Sequence, residues 1–186
     1  FLSAAIDAGL DAYGVEVEPD REAQFRQSAP PPHHHRLLRY DGALLPFGSR
    51  SFDTVYSWFV FEHVEQPGLS LREIVRVTRP GGTIHLYADD ARNHWDGHVA
   101  IPMPAFMPRC YTRAYLSAFG LQDRTDFINR TVFSITAPMV TSVLRTLGCE
   151  ILYENGVEND REVPGAADIA SDDDARAVAL AVKERI

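Results

Sequence analysis

The chain has 186 residues, 45% of them hydrophobic and 24% charged, a balance that suits one globular domain with a sizeable core. Its formal net charge of −8 repels phosphate backbones and anionic headgroups, which argues against nucleic acid or a membrane surface as partner. Cys110 and Cys149 are its two cysteines, far apart and without a His or Cys at metal-ligand spacing; with no apolar run near the roughly 20 residues of a membrane span, a reducing cytoplasm is the expected compartment.

Phe1, Leu2, Ala5, Ile6 and Leu10 recur at helical spacing, with Gly9 as a stop. No cap signal precedes Phe1, so the chain is expected to enter in mid-helix, as a fragment. Ala12 to Val17 reads as a buried strand closed by Glu18-Pro19-Asp20, and a helix is expected from about Arg21 to Gln27. Three prolines and three histidines between Ser28 and His35 predict a polar loop. Adjacent histidines in an extended segment point in alternating directions, which weakens His33, His34 and His35 as a metal site. Leu37 to Tyr40 reads as a second strand, stopped at Asp41-Gly42.

Ser51 to Phe61 is the most apolar and aromatic stretch and predicts a central strand, with Glu62-His63-Val64 at its exit. Leu69, Leu71, Ile74, Val75 and Val77 mark a helix ended by Pro80-Gly81-Gly82, and Thr83 to Ala88 a further strand. Strand alternating with helix predicts an α/β fold, with a mostly parallel sheet covered by helices and ligands at the carboxyl ends of the strands. From Asp89 to about Leu121 the pattern becomes irregular, too long for an ordinary connection, and marks a binding insertion. Met139 to Leu147 predicts a helix capped at Thr136 and stopped by Gly148, before a strand from Cys149 to Tyr153. Ala177 to Lys183 reads as a final strand, with a helix capped at Ser171 as the competing assignment.

Four segments in this order resemble the class I S-adenosylmethionine-dependent methyltransferases, in particular the large group of small-molecule methyltransferases (methyltransferase domain type 11). They are Tyr13 to Val17, with an acid at the strand end; Asp41 to Phe47, with its Leu-Pro-Phe; Ser51-Phe52-Asp53 through Phe61-Glu62-His63-Val64; and Arg72 to Val77 followed by Arg79-Pro80-Gly81-Gly82. The resemblance implies a Rossmann-like, seven-stranded-type sheet with helices on both faces, its first strand and glycine-rich loop lying before Phe1, and an irregular or helical insertion after the fifth strand. It divides a single domain into a cofactor-binding core (1–90), an acceptor-binding insertion (91–135) and the rest of the sheet (136–186).

By the same resemblance, Glu16 would accept hydrogen bonds from the ribose hydroxyls of S-adenosylmethionine, two oxygens for two donors. Val17 would pack on the adenine. Asp41 would accept from the adenine amino group, with Gly42 and Ala43 bringing backbone to the ring, and Trp58 and Phe59 would shape the methyl-transfer site. The bland alternatives are a solvated strand-end acid for Glu16 and a simple turn for Asp41-Gly42.

The segment Asn93 to His98 loosely resembles an insertion in some bacterial members thought to act on glycans or other small metabolites. His98, with His94 and Asp96, is a candidate lining of the acceptor pocket and a general base for a hydroxyl acceptor; His63 is the other candidate base. Polar loop residues and a structural histidine are the respective alternatives. Arg109, Arg113 and Arg124 are candidates for an anionic substrate or for a solvated face. In-line methyl transfer requires no metal, so the expected partners are the cofactor and a small-molecule acceptor, in a monomer or homodimer. Two other readings remain open: a methyltransferase-like module without catalysis, and a nicotinamide-dependent oxidoreductase, which would also place an acid at its second strand end.

Overall fold

The computed structural model describes residues 1–93 and 95–154, together with the backbone of 178–183. It divides into two compact units, Phe1–Gly48 and Ser49–Ile186. Helix α1 (Leu2–Asp7), strand β1 (Gly14–Glu16), helix α2 (Pro19–Ser28) and strand β2 (Leu37–Arg39) make the first. Gly9 turns the chain with a positive φ of 82° after α1, as its position predicts. β1 and β2 pair in parallel, Val15 opposite Leu38, so their carboxyl ends share one edge. The Pro-His segment, expected as a loop, forms a 3-10 turn over Pro31–Arg36, in which the His34 ring meets the Ala29 carbonyl at 2.9 Å.

The second unit contains β3 (Phe52–Trp58), α3 (Pro67–Val77), β4 (Thr78–Tyr87), a two-residue ribbon of β5 (Trp95–Asp96) and β6 (Ile101–Pro102), α4 (Arg109–Ser117), α5 (Thr125–Thr131), α6 (Ala137–Thr146), β7 (Cys149–Glu154) and β8 (Val178–Lys183). Its sheet runs in the order β3-β4-β8-β7, parallel between β3 and β4 and antiparallel on both sides of β8. Of the two assignments for the last apolar run, strand is the one adopted.

Pro80-Gly81-Gly82 does not delimit helix from strand as expected. The helix ends at Val77, where the Thr78 hydroxyl donates to the Ile74 carbonyl at 2.7 Å, and the strand begins at once. Phe52 pairs with Thr78 and Thr54 with Thr83, so residues 79–82 bulge out of the ladder. Gly81 takes φ 77° there, and a Cβ on Gly82 would stand 2.7 Å from the Asp53 carbonyl oxygen.

The core lies where α3 and α6 pack together against the sheet. Leu71, Ile74 and Val75 recur on one face of α3 and are buried with Ile84 and Leu86 of β4 and Val140 and Leu144 of α6. Each fully buried aliphatic side chain stabilises by about 1.5–3 kcal/mol. Thr136 caps α6 by accepting from the Met139 amide, in agreement with the sequence. A second, smaller apolar cluster of Val99, Leu116 and Ile128 holds the segment after β4 together.

Candidate functional site

In the first unit the structure gathers Glu16, Val17, Asp41, Gly42 and Ala43 at the carboxyl edge of β1 and β2. The Tyr40 amide donates to the Glu16 carbonyl at 3.1 Å, which sets the two strand exits side by side. Glu16 Oε1 accepts from the amides of Val17 (2.8 Å) and Glu18 (3.0 Å), orienting the carboxylate over the end of its strand. Asp41 Oδ1 accepts from the amides of Ala43 (2.9 Å) and Leu44 (3.2 Å), and these backbone bonds hold its pKa below the usual value. Gly42 has φ 84°, and a Cβ built there would lie 3.6 Å from Val17 Cγ1. The turn reading of Asp41-Gly42 therefore describes the local geometry, and that geometry also aims the carboxylate.

In the second unit Trp58 ends β3 with 46% of its surface exposed, and its ring lies 4.5 Å from that of Tyr87 and 5.1 Å, edge-on, from that of Phe59. Phe59 has φ 47°, a conformation costly for a bulky side chain, while its amide donates to the Tyr87 carbonyl at 2.8 Å. The chain then enters a 3-10 turn, Phe61–His63, that buries Glu62 and turns His63 toward the segment beyond β4.

That turn brings the two predicted bases together. His63 Nε2 lies 3.1 Å from His98 Nε2. His63 Nδ1 faces the Thr131 carbonyl at 2.6 Å, and His98 Nδ1 faces Asp96 Oδ1 at 3.2 Å. Asp96 also accepts from the amides of His98 and Val99, closing the tight loop after β5. Burial would raise the Asp96 pKa, but its bonds from the His98 side chain and backbone outweigh that and lower it. The hydrogen bond to Asp96 raises the pKa of His98 against the opposing effect of burial, with Asp89 and Glu62 adding negative charge nearby. Burial raises that of Glu62.

Glu62 Oε1 stands 3.9 Å from His63 Nε2 and 4.0 Å from His98 Nε2, and Glu62 Oε2 is buried with no hydrogen-bond partner among the described residues. These three residues each offer one ligand atom, all within 4.8 Å of one another. Beside them opens a cavity of about 260 Å³, whose lining includes the polar Glu62, Asp89, Asp96 and His98 and the apolar Trp95 and Phe106. His94 lies outside the described residues.

Arg109 takes a structural position: its guanidinium donates to the carbonyls of Ile128 (3.1 Å), Asn129 and Val132 (2.9 Å), tying α4 to the end of α5. The residues that sequence reasoning missed are Glu62, Asp89 and Thr131. Glu62 stood in the quoted Glu-His-Val segment, and its burial was the signal that sequence could not carry.

The sequence profile of the family described as methyltransferase domain matches residues 1–86. Over those residues the chain is similar to that methyltransferase family. An uncharacterized methyltransferase of Mycolicibacterium gilvum is 43% identical over 84 residues, covering 44% of this chain and 32% of the relative. One from Mycobacterium leprae is 40% identical over 86 residues, covering 46% and 32%. The chain thus spans about a third of the length of the curated relatives it matches.

Among solved structures, an S-adenosylmethionine-dependent methyltransferase from Mesorhizobium loti aligns with a TM-score of 0.60 at 17% identity, covering 96% of this chain and 83% of that one. The putative methyltransferase of Haloferax volcanii, solved with its Trm112 activator, aligns at 0.59 and 17% identity, covering 98% and 76%. The [4+2]-cyclase SpnF aligns at 0.57 and 18% identity, covering 97% and 70%. The methyltransferase fold therefore extends past the matched residues, and a cyclase among its neighbours separates fold from reaction.

Proposed function

We propose that the protein transfers a methyl group from S-adenosylmethionine to an oxygen of a small-molecule or glycan-type acceptor. The observation that carries this reading is the family match of residues 1–86, which includes both strand-end carboxylates. Parallel pairing of β1 with β2 and of β3 with β4, and the antiparallel β8, support the wider expectation of a seven-stranded-type sheet.

The cofactor residues fit their assigned tasks. Glu16 and Asp41 are acceptor-only groups already oriented by backbone amides, suited to ribose hydroxyls and to an adenine amino group. Val17, 43% exposed and next to the side-chain-free Gly42, offers an apolar face for a ring. The cofactor, when bound, supplies an electrophilic methyl carbon. Trp58 and Phe59 would bound the space around the acceptor, and the polar residues of the cavity would hold its hydroxyl. There His98 acts as general base: Asp96 fixes its Nδ1–H, which leaves the Nε2 lone pair to take the hydroxyl proton. The carboxylates of Asp89 and Asp96 near His98 Nδ1 keep the resulting imidazolium favourable.

Calorimetry on the intact protein tests the cofactor half of this reading. Glu16→Ala should weaken S-adenosylmethionine binding, and Glu16→Gln, which keeps an oxygen for the Val17 amide, should weaken it less. Unchanged affinity in both variants would sink the assignment. A screen for S-adenosylhomocysteine release over hydroxylated metabolites and saccharides tests the acceptor class, with amine acceptors as the arm that would overturn oxygen transfer.

A further inference from the structure

We propose that Glu62, His63 and His98 bind one divalent first-row transition-metal ion beside the cavity. A carbonyl oxygen only accepts, so the contact of 2.6 Å from His63 Nδ1 to the Thr131 carbonyl puts a hydrogen on Nδ1. The Asp96 carboxylate likewise only accepts, and His98 Nδ1 carries a hydrogen too. In both neutral rings Nε2 is then a lone pair, and the two lone pairs face each other at 3.1 Å. Two acceptors at that distance require something positive between or beside them.

The third group supplies the rest of a coordination site. Glu62 has 1% of its surface exposed, and its Oε2 is buried without a hydrogen-bond partner among the described residues. From the separations of 3.1, 3.9 and 4.0 Å among His63 Nε2, His98 Nε2 and Glu62 Oε1, the point equidistant from all three lies about 2.1 Å from each. That is the bond length of zinc and its neighbours to imidazole nitrogen and carboxylate oxygen. Two imidazoles and one carboxylate suit Zn²⁺, Fe²⁺ or Co²⁺ in preference to Mg²⁺ or Ca²⁺, and three protein ligands leave positions open for a substrate oxygen. The Nδ1 bonds to Thr131 and Asp96 are the outer partners that fix ring orientation and tautomer at such centres.

The inference rests on the reading of the cavity as the acceptor site and gives that site its acceptor chemistry. An ion held there takes over the role assigned above to the His98 lone pair. It binds the acceptor hydroxyl oxygen and lowers its pKa, so that the O–H proton is lost to water and the oxygen lone pair is left to attack.

The test uses the metal alone. Intact protein stripped with a chelator and dialysed is titrated with Co²⁺, followed by visible absorption, and with Zn²⁺, followed by calorimetry. One ion per chain is expected, with a cobalt band of a low-coordinate nitrogen and oxygen site. His98→Ala and Glu62→Gln should each weaken binding at least tenfold. Asp96→Asn, which contacts the proposed ion only through His98, should weaken it about tenfold with unchanged near-ultraviolet circular dichroism. Wild-type protein that takes up neither ion, or variants that bind as the wild type does, would overturn the proposal and leave a proton shared between the imidazoles. Because neither cofactor nor acceptor is present, such a failure leaves the methyl-transfer reading standing, and loss of cofactor binding would not touch the metal site.

Discussion

His63 and His98 meet Nε2 to Nε2 at 3.1 Å, although 35 positions separate them in the chain. Each imidazole is held from behind, by the Thr131 carbonyl and by Asp96, so the pair is an oriented unit. Replacing either one should lower turnover of an oxygen acceptor by about 10²-fold or more. The double replacement should cost little beyond the worse single one, because groups acting as a unit are not additive. Release of S-adenosylhomocysteine measures this, and multiplied losses in the double variant would separate the two rings functionally. Calorimetric affinity for the cofactor should stay at the wild-type value throughout.

Gly82 is required by closeness. A methyl group there would sit 2.7 Å from the Asp53 carbonyl and 3.0 Å from the Arg79 carbonyl, both backbone atoms that cannot swing away. Gly82→Ala should destabilise by about 1–3 kcal/mol, the usual range for overpacking. Urea denaturation reads it, with Gly68→Ala, where among the described residues nothing but its own helix lies within 4 Å, as the control expected to be neutral or stabilising. Equal stability of the two variants would remove the argument from approach.

Much of the fold was legible because its signals are local. Apolar spacing marked α3 and α6, Thr136 announced its cap, and β-branched and aromatic residues marked β3. The bulge of residues 79–82 escaped, since Pro-Gly-Gly reads as a break and only pairing with β3 makes it part of a strand. The strand-end acids were legible by their order in the chain. Glu62 was not: burial arises when the turn of residues 61–63 packs beneath residues 131–135, and the Phe133 amide bond to the Glu62 carbonyl at 2.7 Å joins segments 71 positions apart. His98 was named from its residue type; its partnership with His63 is a tertiary fact.

Phe59 holds a left-handed φ of 47° directly after β3, where its amide completes a bond to Tyr87. Glycine adopts that conformation without penalty, whereas a β-branched residue suffers most. Relief of backbone strain by Phe59→Gly should roughly offset the loss of its contact with Trp58, leaving stability within about 1 kcal/mol of wild type. Phe59→Val loses the ring and keeps the strain, so it should be the less stable variant by about 1–2 kcal/mol. Thermal unfolding orders the three, and a valine variant as stable as the glycine one would show the strain to be absent.

Asp90 gives the protein a pH-dependent contribution to stability whose sign follows from its partners. Burial would raise its pKa, but the Arg92 side chain, at 2.7 and 2.9 Å, and the amides of Ala137 and Arg92, each at 2.8 Å, outweigh burial and lower it. A carboxyl with a folded pKa below its unfolded value of about 3.9 stabilises fully above that value and loses the contribution as pH falls through the folded pKa. Asp90→Asn should therefore cost about 2 kcal/mol at pH 7, the range for hydrogen bonds to a charged group. As pH falls from about 4 through the lowered folded pKa the difference from wild type should shrink, because the wild-type carboxyl becomes protonated as well. Urea midpoints at the two pH values measure both effects, and a gap that persists unchanged in acid would assign Asp90 a role through shape alone.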